Sequence, residues 1–136
     1  MSEDAAPKAA EKLVLIVDDD ESIIDLMEHV VRKEGFRTDR ATDGKEALTK
    51  AQALKPDLIL LDFLLPSMDG HAVVRALRES GHGGIPVIAV TGQHLDEARQ
   101  DALRREPAVK DFLQKPLRTA VLAAAVRKVL GAKTGA

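Results

Sequence analysis

The chain has 136 residues, 45 % of them hydrophobic, which suits one domain with an ordinary core and makes disorder not the default expectation. Twenty-two acidic against 20 basic residues, formal net charge −2, leave no global electrostatic footprint for DNA or RNA, and 2 % aromatics give no stacking platform for single strands. The absence of cysteine excludes a disulfide framework, a thiol nucleophile and a Cys-based zinc site.

Residues 1–11 are polar and Ala-rich and lack the apolar stretch of a secretory signal; they read as a flexible extension. No run is long enough to span a membrane. The expected setting is cytoplasmic, without membrane insertion and without direct nucleic-acid binding. Leu13 to Val17 is an apolar run ending in Asp18-Asp19-Asp20 and reads as a buried strand. From Glu21 the period becomes helical, with Ile23, Ile24, Met27, Val30 and Val31, and Gly35 is placed to end that helix in a left-handed conformation. Phe36 to Ala41 reads as a short strand exposed on one face. Asp43-Gly44 is turn chemistry, and a helix follows with Ala47, Leu48, Ala51 and Leu54 inward, stopped by Pro56.

Leu58 to Leu61 is a second fully apolar run, with Asp62 at its end. Pro66, Ser67, Asp69 and Gly70 mark a loop into a helix that carries Val73, Val74 and Leu77 inward. After a loop at 80–84, Pro86 to Val90 is a third apolar run, ending at Thr91-Gly92. Asp96 to Arg105 has a weaker helical pattern in Leu95, Ala98, Ala102 and Leu103. Val109 to Leu113 is a short strand before Lys115-Pro116. The last helix runs from about Arg118 to Leu130 with Val121, Leu122, Ala125, Val126 and Val129 apolar, and residues 132–136 read as a frayed tail of a domain spanning 12–131.

Five strands alternating with five helices imply βαβ crossovers and a parallel sheet with helices on both faces. The carboxyl ends of parallel strands share one edge, so Asp18, Asp19, Asp62, Thr91 and Lys115 converge there, where ligands of open α/β sheets bind. Three adjacent carboxylates repel unless a cation intervenes, and an oxygen-only set favours Mg²⁺, with Mn²⁺ as a substitute. Asp62 is then placed as a nucleophile for a phosphoryl group, with Thr91 and Lys115 on the phosphoryl oxygens.

Leu15-Ile16-Val17-Asp18-Asp19-Asp20, Asp43-Gly44, Leu60-Leu61-Asp62 with Pro66 to Gly70, Val90-Thr91-Gly92 and Phe112-Leu113-Gln114-Lys115-Pro116 occur in order at strand ends. Together they resemble the response-regulator receiver domain, the CheY-like family of two-component signalling, over about residues 12–130. The resemblance implies the flavodoxin-like doubly wound (βα)5 fold with strand order 2-1-3-4-5. It implies Asp62 as phosphoacceptor and Mg²⁺ ligand, Asp19 as a direct Mg²⁺ ligand, Asp18 acting through water, and the Leu64 backbone carbonyl as a further ligand. Thr91 would be the switch hydroxyl and Lys115 the phosphate-pairing lysine, joined to Pro116 by a cis peptide. Phe112 serves either core packing or a rotation coupled to Thr91, shifting the face built from helix four, strand five and helix five.

The implied partners are a histidine kinase or histidine phosphotransfer protein as donor and an unnamed protein target. A stand-alone single-domain regulator is the expected form, with a phosphorelay intermediate or a module of a larger regulator as alternatives. The chain is expected not to be an enzyme, beyond promoting its own phosphorylation and dephosphorylation. A Mg²⁺-dependent phosphohydrolase is the competitor from another class, but Leu64 cannot protonate a leaving group and no residues remain for a cap. Two departures from the family pattern are Arg105-Glu106-Pro107-Ala108-Val109 before strand five, where relatives often have Gly-Ala, and Phe112 without the hydroxyl of a tyrosine. Leu64 and Gln93 flank the phosphoryl position and imply slow to moderate self-dephosphorylation. Asp20 reads as a helix cap, Asp57 and Asp69 as loop acids, the four histidines as surface residues, and Arg99, Arg104 and Arg105 as a solvated basic face.

Overall fold

The computed structural model describes residues 12–65, 68–92 and 96–131. In chain order these are β1 (Leu13–Val17), α1 (Glu21–Lys33), β2 (Arg37–Ala41), α2 (Gly44–Leu54), β3 (Leu58–Asp62), α3 (Gly70–Glu79), β4 (Val87–Thr91), α4 (Glu97–Arg104), β5 (Val109–Gln114) and α5 (Thr119–Leu130). The strands form one parallel sheet in the order β2-β1-β3-β4-β5, as the resemblance implies.

The side-chain alternation of β1 divides the core. Val14 and Ile16 pack with Ile24, Met27 and Val31 of α1 and Leu122 and Val126 of α5. Leu15 and Val17 pack on the other face with Ala47 and Ala51 of α2, Val73 and Leu77 of α3, and Leu103 of α4. Leu58 to Leu61 have no solvent exposure, which explains why β3 is apolar at every position. Each such side chain contributes about 1.5–3 kcal/mol of burial.

Four helices begin at an aspartate whose carboxylate accepts a backbone N–H of the first turn. Asp20 accepts from Ser22, Asp43 from Glu46, Asp69 from Ala72 and Asp96 from Arg99. The Glu46 carboxylate returns to the Thr42 N–H at 2.8 Å, closing a reciprocal cap. Gly35, at φ 95°, ends α1 in the left-handed region. Asp57 is more than a loop acid, because its carboxylate accepts the Leu13 N–H at 2.8 Å and ties the start of β3 to β1.

Some inward positions expected from periodicity point out. Leu54 is 45 % and Val121 48 % exposed. Leu54 is the last residue of α2; Lys55 after it turns left-handed at φ 49°, its N–H donating to the Ala51 carbonyl, and Pro56 follows. On α5 the covered stripe is Leu122, Ala123, Ala125 and Val126, one step round from Val121. Ala98 and Ala102 of α4 are exposed, and Leu103 is the buried residue of that helix, so its weak pattern reflects a single anchor. β2 is buried at Ala41, and its charged residues are covered by ion pairs. Arg40 reaches Asp25 at 2.7 Å and also Glu28, which is only 9 % exposed, and Lys50 of α2 meets Asp39 at 3.1 Å.

The acidic edge of the sheet

β1 and β3 are adjacent and in register, with Val17 opposite Leu61. The residues that follow each of these, Asp18 and Asp62, therefore stand side by side at the edge of the sheet. Asp18 has no exposure and Asp62 3 %. One carboxylate oxygen from each of Asp18, Asp19 and Asp62 lies within 4.8 Å of the others, with Asp19 on the exposed side. Buried carboxylates need partners. Asp18 Oδ1 accepts the Asp20 N–H at 2.9 Å, and Asp62 Oδ1 accepts the Leu64 N–H at 2.9 Å.

Their other oxygens share one cation. Lys115 Nζ donates to Asp18 Oδ2 at 2.7 Å and to Asp62 Oδ2 at 3.3 Å. The lysine is aimed there by its backbone, whose N–H donates to the Thr91 carbonyl at 2.8 Å, and its peptide bond to Pro116 is cis. Thr91 ends β4 with no exposure. Burial pushes the Asp18 carboxyl above its ordinary range, with the charge of Asp62 adding to it, and the bonds from Lys115 and Asp20 only partly offset this. Burial alone would lower the Lys115 ammonium, but its hydrogen bond to Asp18 and the field of both acids raise it instead, so the lysine stays charged.

The set fits a hard cation. All available donors are oxygens, they are close enough to share one ion, and the buried pair carries more negative charge than one ammonium neutralises. Leu64, whose N–H is bonded to Asp62, is 37 % exposed. Phe112 is partly buried and packs on the α2–α3–α4 side of the core. Gln93, Pro66 and Ser67 lie outside the described residues.

The family model for the response regulator receiver domain matches residues 14–127. The chain belongs to that family. It is 39 % identical over 114 residues to the DNA-binding response regulator MtrA of Mycobacterium tuberculosis H37Rv, covering 84 % of this chain and 48 % of that protein. It is 37 % identical over 119 residues to the alkaline phosphatase synthesis transcriptional regulatory protein PhoP of Bacillus subtilis 168, covering 88 % of this chain and 48 % of that protein. Among solved structures, the chemotaxis response regulator CheY4 of Vibrio cholerae superposes with a TM-score of 0.77 at 32 % identity, covering 87 % of this chain and 98 % of the other. The receiver is thus the phosphoacceptor part of two-component signalling, and the chain spans about half the length of the curated relatives it matches. Those relatives are named as DNA-binding or transcriptional regulators, so they lend no support to the expectation that nucleic acid is not a direct partner. Among the described residues no helix is long and apolar enough to cross a membrane.

Several features escaped the motif reading. Asp43-Gly44, read as turn chemistry, is a helix cap followed by the first helical residue, and Asp69, expected near a helix start, caps α3 in the same way; both glycines are buried. His71, expected on the surface, stands edge-on to Phe63 at 5.2 Å between ring centroids. Glu28 is buried in mid-helix, and its signal was the pair of arginines, Arg32 and Arg40, that meet it.

Proposed function

We propose that Asp62 is the phosphoacceptor of this receiver and that a histidine kinase or histidine phosphotransfer protein is its donor, in the cytoplasm. The observation that carries the reading is the shared hold of Lys115 on the buried carboxylates of Asp18 and Asp62. The Asp62 Oδ2 atom attacks phosphorus, forming an O–P bond as the N–P bond of the donor imidazole breaks, and the imidazole leaves with the bond electrons and takes up a proton. Asp18, Asp19, Asp62 and the Leu64 carbonyl would hold Mg²⁺, which would neutralise charge on the phosphoryl oxygens. The Leu64 N–H on Asp62 Oδ1 fixes the carboxylate so that one oxygen is presented. Lys115 moves its ammonium from the Asp62 carboxylate to a phosphoryl oxygen, and the Thr91 hydroxyl takes another. Phe112, next to β4 in the sheet, carries that shift to the face of α4, β5 and α5.

The chain promotes its own phosphorylation and dephosphorylation and turns over no other substrate. In Mg²⁺-containing buffer, acetyl phosphate should label the parent chain and fail to label Asp62→Asn; unchanged labelling of the variant would overturn the assignment. A second reading places the receiver as a module whose output is DNA binding by another part of a longer protein. It is favoured by the 48 % coverage of MtrA and PhoP. A phosphorelay intermediate would return the group to a histidine protein, and back-transfer from labelled chain separates it from a terminal switch.

A further inference from the structure

The connection from β3 to α3 carries the Leu64 N–H that holds Asp62 Oδ1, so where that loop sits decides how the carboxylate is presented. The loop is tied at its root, where Phe63 N–H donates to the Val90 carbonyl at 3.0 Å and Gly70 N–H returns to the Phe63 carbonyl at 3.3 Å. Two glycines bound it in space. A Cβ on Gly70 would lie 2.3 Å from Cγ of Phe63 and 2.5 and 2.6 Å from its Cδ atoms. These atoms are the root of a ring that is 4 % exposed and has His71 against it, so it has no room to swing aside. A Cβ on Gly44 would lie 2.7 Å from Cβ of Met68 and 2.8 Å from the Met68 carbonyl oxygen, so there the loop itself would have to move.

Backbone conformation does not explain either glycine. Both are the first residue of a helix, α2 and α3, and neither has a positive φ. Alanine would be the better helix former at both positions. What requires glycine is the close approach of the loop.

We propose that Gly44 and Gly70 are positioning residues for the phosphoacceptor: by admitting Met68 and the Phe63 ring they seat the β3–α3 loop so that the Leu64 N–H stays on Asp62. The proposal rests on the reading of Asp62 as phosphoacceptor and extends it to residues that touch no reacting atom. Neither glycine acts directly; each sets the distance between loop and carboxylate. Displacements of about 1 Å at such a site cost up to about 100-fold in rate.

The test uses the full chain. Gly70→Ala should slow labelling of Asp62 by acetyl phosphate by about ten-fold or more. In metal-free protein it should also shift the Leu64 amide proton resonance away from the position set by its bond to the carboxylate. The double variant Phe63→Ala/Gly70→Ala, which takes Cγ and the ring out of the way of the new methyl, should recover both the rate and the resonance of Phe63→Ala alone. A Gly70→Ala chain with parent rate and parent Leu64 resonance would overturn the proposal, as would a double variant as impaired as the single one. If Gly70→Ala does not fold, Gly44→Ala, whose obstacle is Met68 instead of Phe63, must show the slowed labelling and the shifted amide, and parent behaviour there overturns the proposal equally. Failure of the parent chain to be labelled would strike the phosphoacceptor reading alone, because the Leu64 amide still reports the loop.

Discussion

Lys115→Met takes one ammonium from two buried carboxylates while keeping most of the side-chain volume. The lost contacts are 2.7 Å to Asp18 and 3.3 Å to Asp62, whose side chains are 0 % and 5 % exposed. Removing one partner of a fully buried pair costs about 3–5 kcal/mol, because the remaining charge stays uncompensated. The lysine side chain is 20 % exposed, so water already screens part of the interaction, and about 2–3 kcal/mol is the expected loss. With a urea dependence of about 1–3 kcal/mol per M, the unfolding midpoint should fall by about 1 M at neutral pH in chelator. Helix ellipticity is the signal, since the chain has no Trp or Tyr. The difference should narrow on acidification. Asp18 has a raised pKa, so the folded state gains stability from its protonation; that gain is complete below the ordinary carboxylate value and is lost as pH rises through the folded value. Without Lys115 the Asp18 carboxyl rises further, so the variant recovers part of its deficit at about pH 4.5 while the parent changes less. A midpoint shift that is the same at both pH values, or absent in chelator at neutral pH, would refute the electrostatic account of the three-residue cluster.

Replacing Leu64 by Asn should speed decay of the phosphorylated chain roughly ten-fold, because the resemblance to receivers places residue 64 beside the phosphoryl position, where a polar side chain can orient the attacking water; unchanged decay of the purified phosphoprotein would count against this role. Mg²⁺ should stabilise the chain against urea by about 2.7 kcal/mol at 100 times its dissociation constant, and the gain should disappear in Asp19→Asn. Its affinity, measured by calorimetry, should rise with pH through the acid range and level off above it. Below the raised pKa of Asp18 the ion must displace a proton, and above it no longer does.

The fold and the converging residues were legible because burial leaves a simple signature. Strands covered on both faces are apolar at every position, as at Leu58 to Leu61, and Asp18, Asp62 and Thr91 sit where such runs end, whereas Lys115 follows the partly exposed β5. The parallel order then brings Asp18, Asp62, Thr91 and Lys115 to one edge without further information. Partly covered elements were harder. The face of α5 turned out to run through Ala123 instead of Val121, because small residues satisfy the helical period on either side of the true stripe. In α4, periodicity overstated a helix that is held by Leu103. Contacts between distant segments left no local trace. Lys115 was placed on a phosphoryl oxygen by its position after β5, but its hold on Asp18, 97 residues away, needed the three-dimensional arrangement. The glycines at 44 and 70 look like turn residues in sequence, and only the position of Phe63 and Met68 gives them another reason.

The most direct measurement is the site of the phosphoryl group. The chain would be treated with acetyl phosphate and Mg²⁺, trapped with borohydride, which reduces an aspartyl phosphate to homoserine, and digested for mass spectrometry. Conversion at residue 62 alone is the predicted result. Conversion at another aspartate, or none in a chain shown to be folded, would contradict the account.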